Sequence, residues 1–147
     1  MSKKIVYIDM DNVVVDFQSG IDSLSDQIKV EYQGRCDEVP HIFSLMKPID
    51  GALEAIEKLH NKYEIYLLST APWNNPTAWS DKVLWVQKYL GKICYKRLIL
   101  SHHKNLNKGN FLIDDREKNG AKEFEGELIL FGSDIYPDWE TVLKYLI

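Results

Sequence analysis

Two pairs of acids stand where chemistry could be done. Asp9-Met10-Asp11-Asn12 follows the apolar run Ile5-Val6-Tyr7-Ile8, and Asp114-Asp115-Arg116 follows Phe111-Leu112-Ile113. Thr70 closes a third apolar run, and Lys104 comes shortly after a fourth, through Ser101-His102-His103. Carboxylates gathered at one point repel one another unless a cation holds them, and hard oxygen donors suit Mg²⁺, which keeps waters and accepts a substrate phosphate oxygen. A lysine and a threonine hydroxyl opposite that metal would cradle a dianionic phosphoryl group, supplying charge and hydrogen bonds where its equatorial oxygens become more negative. Each feature alone has a plainer reading: the acids as solvated turns or helix caps, Thr70 as a β-branched strand residue, Lys104 as a loop charge. Their value depends on whether the fold brings them together.

Periodicity indicates the elements that would do so. Lys4–Ile8, Glu64–Leu68, Arg97–Leu100, Phe111–Ile113 and Leu128–Phe131 are expected as buried parallel strands, being short, apolar and bounded by acids or turn residues. Between them lie amphipathic runs expected as helices: Gly51–Asn61, with Leu53, Ile56 and Leu59 on one face; Thr77–Leu90, with Trp79, Val83, Val86 and Leu90; a short one after Asp115; and Asp138–Leu146. This alternation implies βαβ crossovers and an α/β fold of the doubly wound kind, a parallel sheet covered on both faces. Ligands then bind beyond the carboxyl ends of the strands, where the acids, Thr70 and Lys104 stand. One connection is longer than the rest. Residues 18–47 hold a helix-like stretch (Ile21, Leu24, Ile28), a polar break at Gly34 to Glu38 and an apolar patch (Ile42, Phe43, Leu45, Met46), expected as a short helical cap acting as a lid.

At 147 residues the chain is expected to be a single domain, 1–147, burying roughly two thirds of its unfolded surface. The net charge of -4 with dispersed basic residues argues against duplex nucleic acid and leaves a small phosphorylated partner compatible. Cys36 and Cys94 have no metal or redox spacing and read as reduced thiols. Asp9 and Asp11 interrupt the first apolar run of MSKKIVYIDMD too early for a signal peptide, and no later stretch approaches membrane-spanning length, so the expectation is a cytoplasmic protein without membrane contact. A homodimer stays open.

DMDNVVVDF after a strand, a Thr at the end of the next, a Lys, and then LIDD resemble, in that order, the four motifs of the haloacid dehalogenase (HAD) superfamily phosphatases. Within it the chain is most similar to the 5′(3′)-deoxyribonucleotidases, through DMDNVVVDF, PIDGALEAIEKL, LLSTAPW, WVQKYLG and FLIDDR. The resemblance implies a Rossmann-like sheet of five strands in the order 5-4-1-2-3, with Asp9 on the central strand and Asp115 and Thr70 to either side. It implies Asp9 as the nucleophile that becomes an aspartyl-phosphate, and Asp11 as the acid that protonates the leaving oxygen and later deprotonates water. Mg²⁺ would be held by the Asp9 carboxylate, the Asp11 main-chain carbonyl and Asp115, with Asp114 in support or exchanged with it. Thr70 and Lys104 match the phosphate ligands, Lys104 being preferred to Lys108 by its spacing to the acid pair, and Phe17 matches a residue that touches substrate.

The departures also carry information. Asn12 replaces a usual Gly, but Asn tolerates positive φ best among the other residues. Ala71 replaces a common hydroxyl, His102 stands where an Arg is often found, and the shorter insertion does not match the family's base-binding aromatics. The implied function is a Mg²⁺-dependent, 5′-nucleotidase-like phosphatase of nucleoside monophosphates, with another small phosphoester such as a sugar phosphate as the alternative. A non-enzymatic phospho-acceptor module is the weaker one, since a receiver domain has its acceptor Asp after the third strand, where this chain has Ser101-His102-His103. Adjacent His102 and His103 face opposite ways on extended chain and read as surface or supporting residues. Trp73 is balanced between packing and lining a pocket mouth, Trp79 and Trp85 read as anchors on a helix, and Asp16 serves the turn into the insertion.

Overall fold

A computed structural model describes residues 3–147; Met1 and Ser2, where the targeting reading begins, lie outside the described residues. Along the chain come β1 (Ile5–Ile8), β2 (Val15–Asp16), α1 (Phe17–Asp22), α2 (Asp26–Glu31), 3₁₀ turns at Cys36–Glu38 and Ile42–Leu45, and β3 (Lys47–Pro48). Then follow α3 (Ala52–His60), β4 (Glu64–Ser69), α4 (Pro76–Leu90), β5 (Leu98–Leu100), a 3₁₀ turn at Lys104–Leu106, β6 (Phe111–Asp114), β7 (Glu127–Leu130) and α5 (Trp139–Leu146). Five of these strands form a parallel sheet in the order β5-β4-β1-β6-β7, while β2 and β3 pair antiparallel by themselves. The expected order was counted over five strands, so its numerals do not coincide with labels that include β2 and β3. The central strand is β1, between β4 and β6.

Helices α3, α4 and α5 share one core with Val6, Ile8, Ile65, Leu67 and Ile113. Alternation along the strands turns Tyr7, Leu68 and Leu112 to the opposite face, where Ala121 and Phe124 cover them. Here the expected helix after Asp115 needs correction. Residues 118–123 form turns, because Asn119 (φ 55°) and Gly120 (φ 84°) take the left-handed conformation in succession, which a right-handed helix does not allow. The buried face of α4 is also rotated from the expected one. Ala78, Lys82, Trp85, Val86 and Leu90 are buried, whereas Val83 is 40% exposed.

Between β2 and β3 the excursion contains two helices instead of one helix-like stretch. The Ser25 hydroxyl accepts from Ile28 N at 3.3 Å and starts α2 afresh, while Asp16 caps α1 by accepting from Ser19 N at 3.3 Å. Helix α1 lies against the second 3₁₀ turn at Gly20, where an added Cβ would come within 2.8 Å of Met46 Cγ. Of the apolar patch, Ile42, Phe43 and Met46 are buried but Leu45 is exposed. Side-chain donors from α4 and the loop before it fasten this second half: Asn75 Nδ2 donates to the carbonyls of Asp37 (2.9 Å) and Val39 (3.0 Å), and Trp85 Nε1 to that of Met46 (3.0 Å). Residues 37–46 are thus tied to α4 and to the loop before it. Among the described residues, no helix is long and apolar enough to cross a membrane.

Candidate active site

Asp9 continues the central strand, its N–H donating to the Ile113 carbonyl at 2.8 Å, and the chain then folds back sharply. The Met10 carbonyl accepts from the N–H groups of Val13, Val14 and Val15 at 3.2, 2.9 and 2.8 Å, a turn that needs Asn12 at φ 63°. Asn bears that left-handed conformation at lower cost than a branched residue. The Trp139 indole donates to the Val13 carbonyl at 2.7 Å and fastens the loop to α5. Asp9 and Asp11 are therefore held by backbone that is itself braced.

Neighbouring strand ends bring the other expected residues to this point. Oxygens of Asp9, Asp114 and Asp115 lie within 4.8 Å of one another. The Lys104 ammonium donates to Asp9 Oδ1 at 3.1 Å and to Asp114 Oδ2 at 2.6 Å, all three side chains being buried. Lys108 is elsewhere, paired with exposed Glu125 at 2.7 Å. Asp114 uses its second oxygen to accept from Arg116 N at 3.1 Å, whereas half-buried Asp115 lines a cavity of about 570 Å³. Asp11, Phe17 and Thr70 line the same cavity, and the Thr70 hydroxyl donates to the Ser101 carbonyl at 2.7 Å. Phe17 meets Phe43 edge to face, with centroids 5.8 Å apart.

Burial pushes the Asp9 carboxyl well above the usual carboxylate range; Lys104 opposes this, and the charges of Asp114 and Asp11 add to it. Asp115 is raised as well, again chiefly by burial. For Lys104 burial acts downward, but Asp9 and Asp114 outweigh it and hold the ammonium above its ordinary value. Lys104 touches two of the three acids, while Lys82 acts on Asp9 and Arg116 on Asp115 without direct contact. The all-oxygen donor set and its close spacing fit a divalent cation such as Mg²⁺.

A second lysine escaped the sequence reading. Lys82 is fully buried on α4 and donates to Asp11 Oδ2 at 2.9 Å and to the Ser69 hydroxyl at 2.8 Å. Its ammonium also sits 4.5 Å from the centroid of the Phe43 ring. The other Asp11 oxygen, Oδ1, is buried without a hydrogen-bond partner among the described residues. The available signal was the helix itself: Lys82 lies four residues after Ala78 and three before Trp85, on the stripe that α4 buries.

The turn that replaced the expected helix supports Lys104. Asn119 O accepts from Lys104 N at 2.7 Å, and a Cβ at Gly120 would stand 2.9 Å from that same nitrogen while clashing with the Asn105 side chain. Gly120→Ala is expected to cost about 1–2 kcal/mol from its left-handed backbone alone. Displacing Lys104 should also lower kcat about ten-fold, or about 1.4 kcal/mol in barrier. Thermal melts and steady-state kinetics would measure both, and an unchanged Tm would show that the turn can relax.

Comparison with known proteins bears on the family and the fold. The family model described as 5′ nucleotidase, deoxy (Pyrimidine), cytosolic type C protein matches residues 31–142. A Vibrio phage KVP40 protein, provisionally named a 5′(3′)-deoxyribonucleotidase, is 65% identical over 144 residues, covering 98% of this chain and 85% of its own. The 5′(3′)-deoxyribonucleotidase of Bacillus subtilis (strain 168) is 29% identical over 148 residues, covering 88% of this chain and 85% of its own. The magnesium-bound structure of the provisionally assigned HAD-hydrolase YfnB from Bacillus subtilis superposes with a TM-score of 0.68 at 13% identity, over 99% of both chains. At that identity the likeness speaks for the fold. The sequence matches speak for more: the chain belongs to the deoxyribonucleotidase family of cytosolic type C 5′ nucleotidases, phosphatases built on the HAD-hydrolase fold.

Proposed function

We propose that the protein is a Mg²⁺-dependent phosphomonoesterase that hydrolyses deoxyribonucleoside monophosphates through an aspartyl-phosphate on Asp9. The observation carrying this reading is the close cluster of Asp9, Asp114 and Asp115, bridged by Lys104 beside a cavity lined by Asp11 and Thr70. An Asp9 carboxylate oxygen attacks phosphorus, and the bond from phosphorus to the ester oxygen breaks. Asp11 gives its proton to that oxygen, then takes one from the water that cleaves the acyl phosphate, releasing inorganic phosphate and restoring Asp9. Lys104 binds the phosphoryl oxygens, as does the Thr70 hydroxyl once its proton turns from the Ser101 carbonyl, and Lys104 offsets part of the carboxylate charge that would repel a dianionic substrate. Mg²⁺, held by the Asp9 carboxylate, the Asp11 main-chain carbonyl and Asp115, would supply the remaining positive charge. Asp114, with both oxygens engaged inside the protein, holds Lys104 in place.

Purified protein assayed with Mg²⁺ against nucleoside monophosphates and sugar phosphates tests the substrate. Deoxyribonucleotides should exceed sugar phosphates in kcat/KM by at least about ten-fold, or about 1.4 kcal/mol. The reverse preference would establish the alternative of a sugar-phosphate phosphatase with the same chemistry.

Asp11→Asn separates the acid from the nucleophile. It keeps the backbone carbonyl but removes the proton donor, so esters with poor leaving groups should lose about 10²-fold or more in kcat and aryl phosphates less. Equal losses for both kinds would argue against the acid role.

A further inference from the structure

We propose that the nucleobase of the substrate stacks on Trp73 in the loop before α4, so that base recognition in this chain resides on the core loops and not on the insertion. This rests on the preceding reading that the substrate is a nucleoside monophosphate.

Trp73 lines the same cavity as Thr70 and Asp115, yet it is 78% exposed. Such exposure of a large aromatic at a cavity edge leaves apolar surface without a protein partner. His102 meets the indole at 5.9 Å between centroids with the planes at 75°, and Trp79 supports His102 in turn at 6.0 Å. The loop is braced. Asn75 N donates to the Pro72 carbonyl at 3.2 Å, the Asn75 amide spans to two carbonyls of the insertion, and its Oδ1 accepts from Thr77 at 2.6 Å. A stacking surface held this way loses little freedom when a base settles on it.

The insertion offers no equivalent surface. Its two aromatics after Phe17 are Tyr32 and Phe43. Tyr32 is not on the cavity and has the Arg35 guanidinium 4.5 Å from its ring centroid. Phe43 is on the cavity but is buried, with the Lys82 ammonium over its ring and Phe17 against it. Distance also favours Trp73. It follows Thr70 by three residues, a span of at most about 10 Å of chain, on the scale of the separation between phosphate and base in one nucleotide. Stacking tolerates any base, so the class expected is nucleoside monophosphates with an intact base.

The test compares a deoxyribonucleoside 5′-monophosphate with 2-deoxyribose 5-phosphate, which has the same phosphate and sugar but no base. In Trp73→Ala the ratio of their kcat/KM values should fall about ten-fold, equivalent to about 1.4 kcal/mol, mainly through KM for the nucleotide. Trp73→Phe, which keeps an aromatic face, should hold the ratio within about three-fold of wild type. An unchanged ratio in Trp73→Ala, or a fall in Trp73→Phe as large as in Trp73→Ala, would overturn stacking on Trp73. A wild-type enzyme that handles the two substrates equally would instead refute the nucleotide reading itself, before any variant is made.

Discussion

Asp9→Asn is expected to lose at least about 10³-fold in kcat, more than about 4 kcal/mol in barrier, while the metal-free protein becomes more stable at neutral pH. The first effect follows from the proposed chemistry: an amide is a poor nucleophile toward phosphorus and brings no charge to a cation. The second follows from electrostatics. Burial and neighbouring acids raise the Asp9 carboxyl well above its ordinary range, so the folded state favours the protonated form. Its stabilising contribution is fully present below the ordinary carboxylate range and is lost as pH rises through the elevated folded value. At pH 7–8, where a free carboxyl is ionised, the raised Asp9 carboxyl therefore destabilises the metal-free protein, and the substitution removes that strain while Lys104 keeps Asp114 as partner. Melts in EDTA should show the Asp9→Asn protein above wild type near pH 7.5, with the gap closing toward pH 4. Mg²⁺ should raise wild-type Tm and close the same gap, by about 2.7 kcal/mol at a hundred times its Kd. Retention of more than about a tenth of wild-type kcat would exclude Asp9 as nucleophile. A metal-free variant less stable than wild type at neutral pH would contradict the electrostatic account.

The parts of this site that were legible in the sequence are those set by short apolar runs. The runs ending at Ile8 and Ile113 could hardly be other than buried strands, and a parallel sheet obliges the acids that follow to gather at one edge. Lys104 and Thr70 were legible through the resemblance, whose motifs they match in order and spacing. Lys82 was not, because apolar periodicity draws attention to Val83 and away from a charge on the buried stripe. What makes a buried lysine tolerable is Asp11, 71 positions away, which no local pattern can disclose. The turn at Asn119 and Gly120 was missed for a related reason. Its backbone is shaped by closeness to Lys104 and Asn105, while the local composition still permits a helix. The excursion from α1 to β3 was visible as an excursion, but the side chains from the α4 region that hold its second half lie more than thirty positions away.

Lys82→Met should lower kcat for a nucleotide about 10²-fold with little change in KM, because the lysine acts on Asp11 and not on the bound phosphate. The Lys82 ammonium is the donor to Asp11 Oδ2, and Asp11 Oδ1 has no partner among the described residues, so the orientation of this carboxyl rests on one contact. Methionine keeps much of the volume beside Phe43 and Ser69 but carries no charge and donates nothing. Asp11 then retains access to the cavity, its side chain being 24% exposed, but loses the geometry needed to meet a leaving oxygen. Esters with poor leaving groups should again suffer more than aryl phosphates, as in Asp11→Asn. A double-mutant cycle distinguishes positioning from a general loss of structure. If Lys82 works through Asp11, adding Lys82→Met to Asp11→Asn should cost no more than about two-fold in kcat, roughly the 0.5 kcal/mol within which effects at independent sites add. Full multiplication of the two losses would give Lys82 a role of its own, and a rise in KM at constant kcat would place its charge on the phosphate instead of on Asp11.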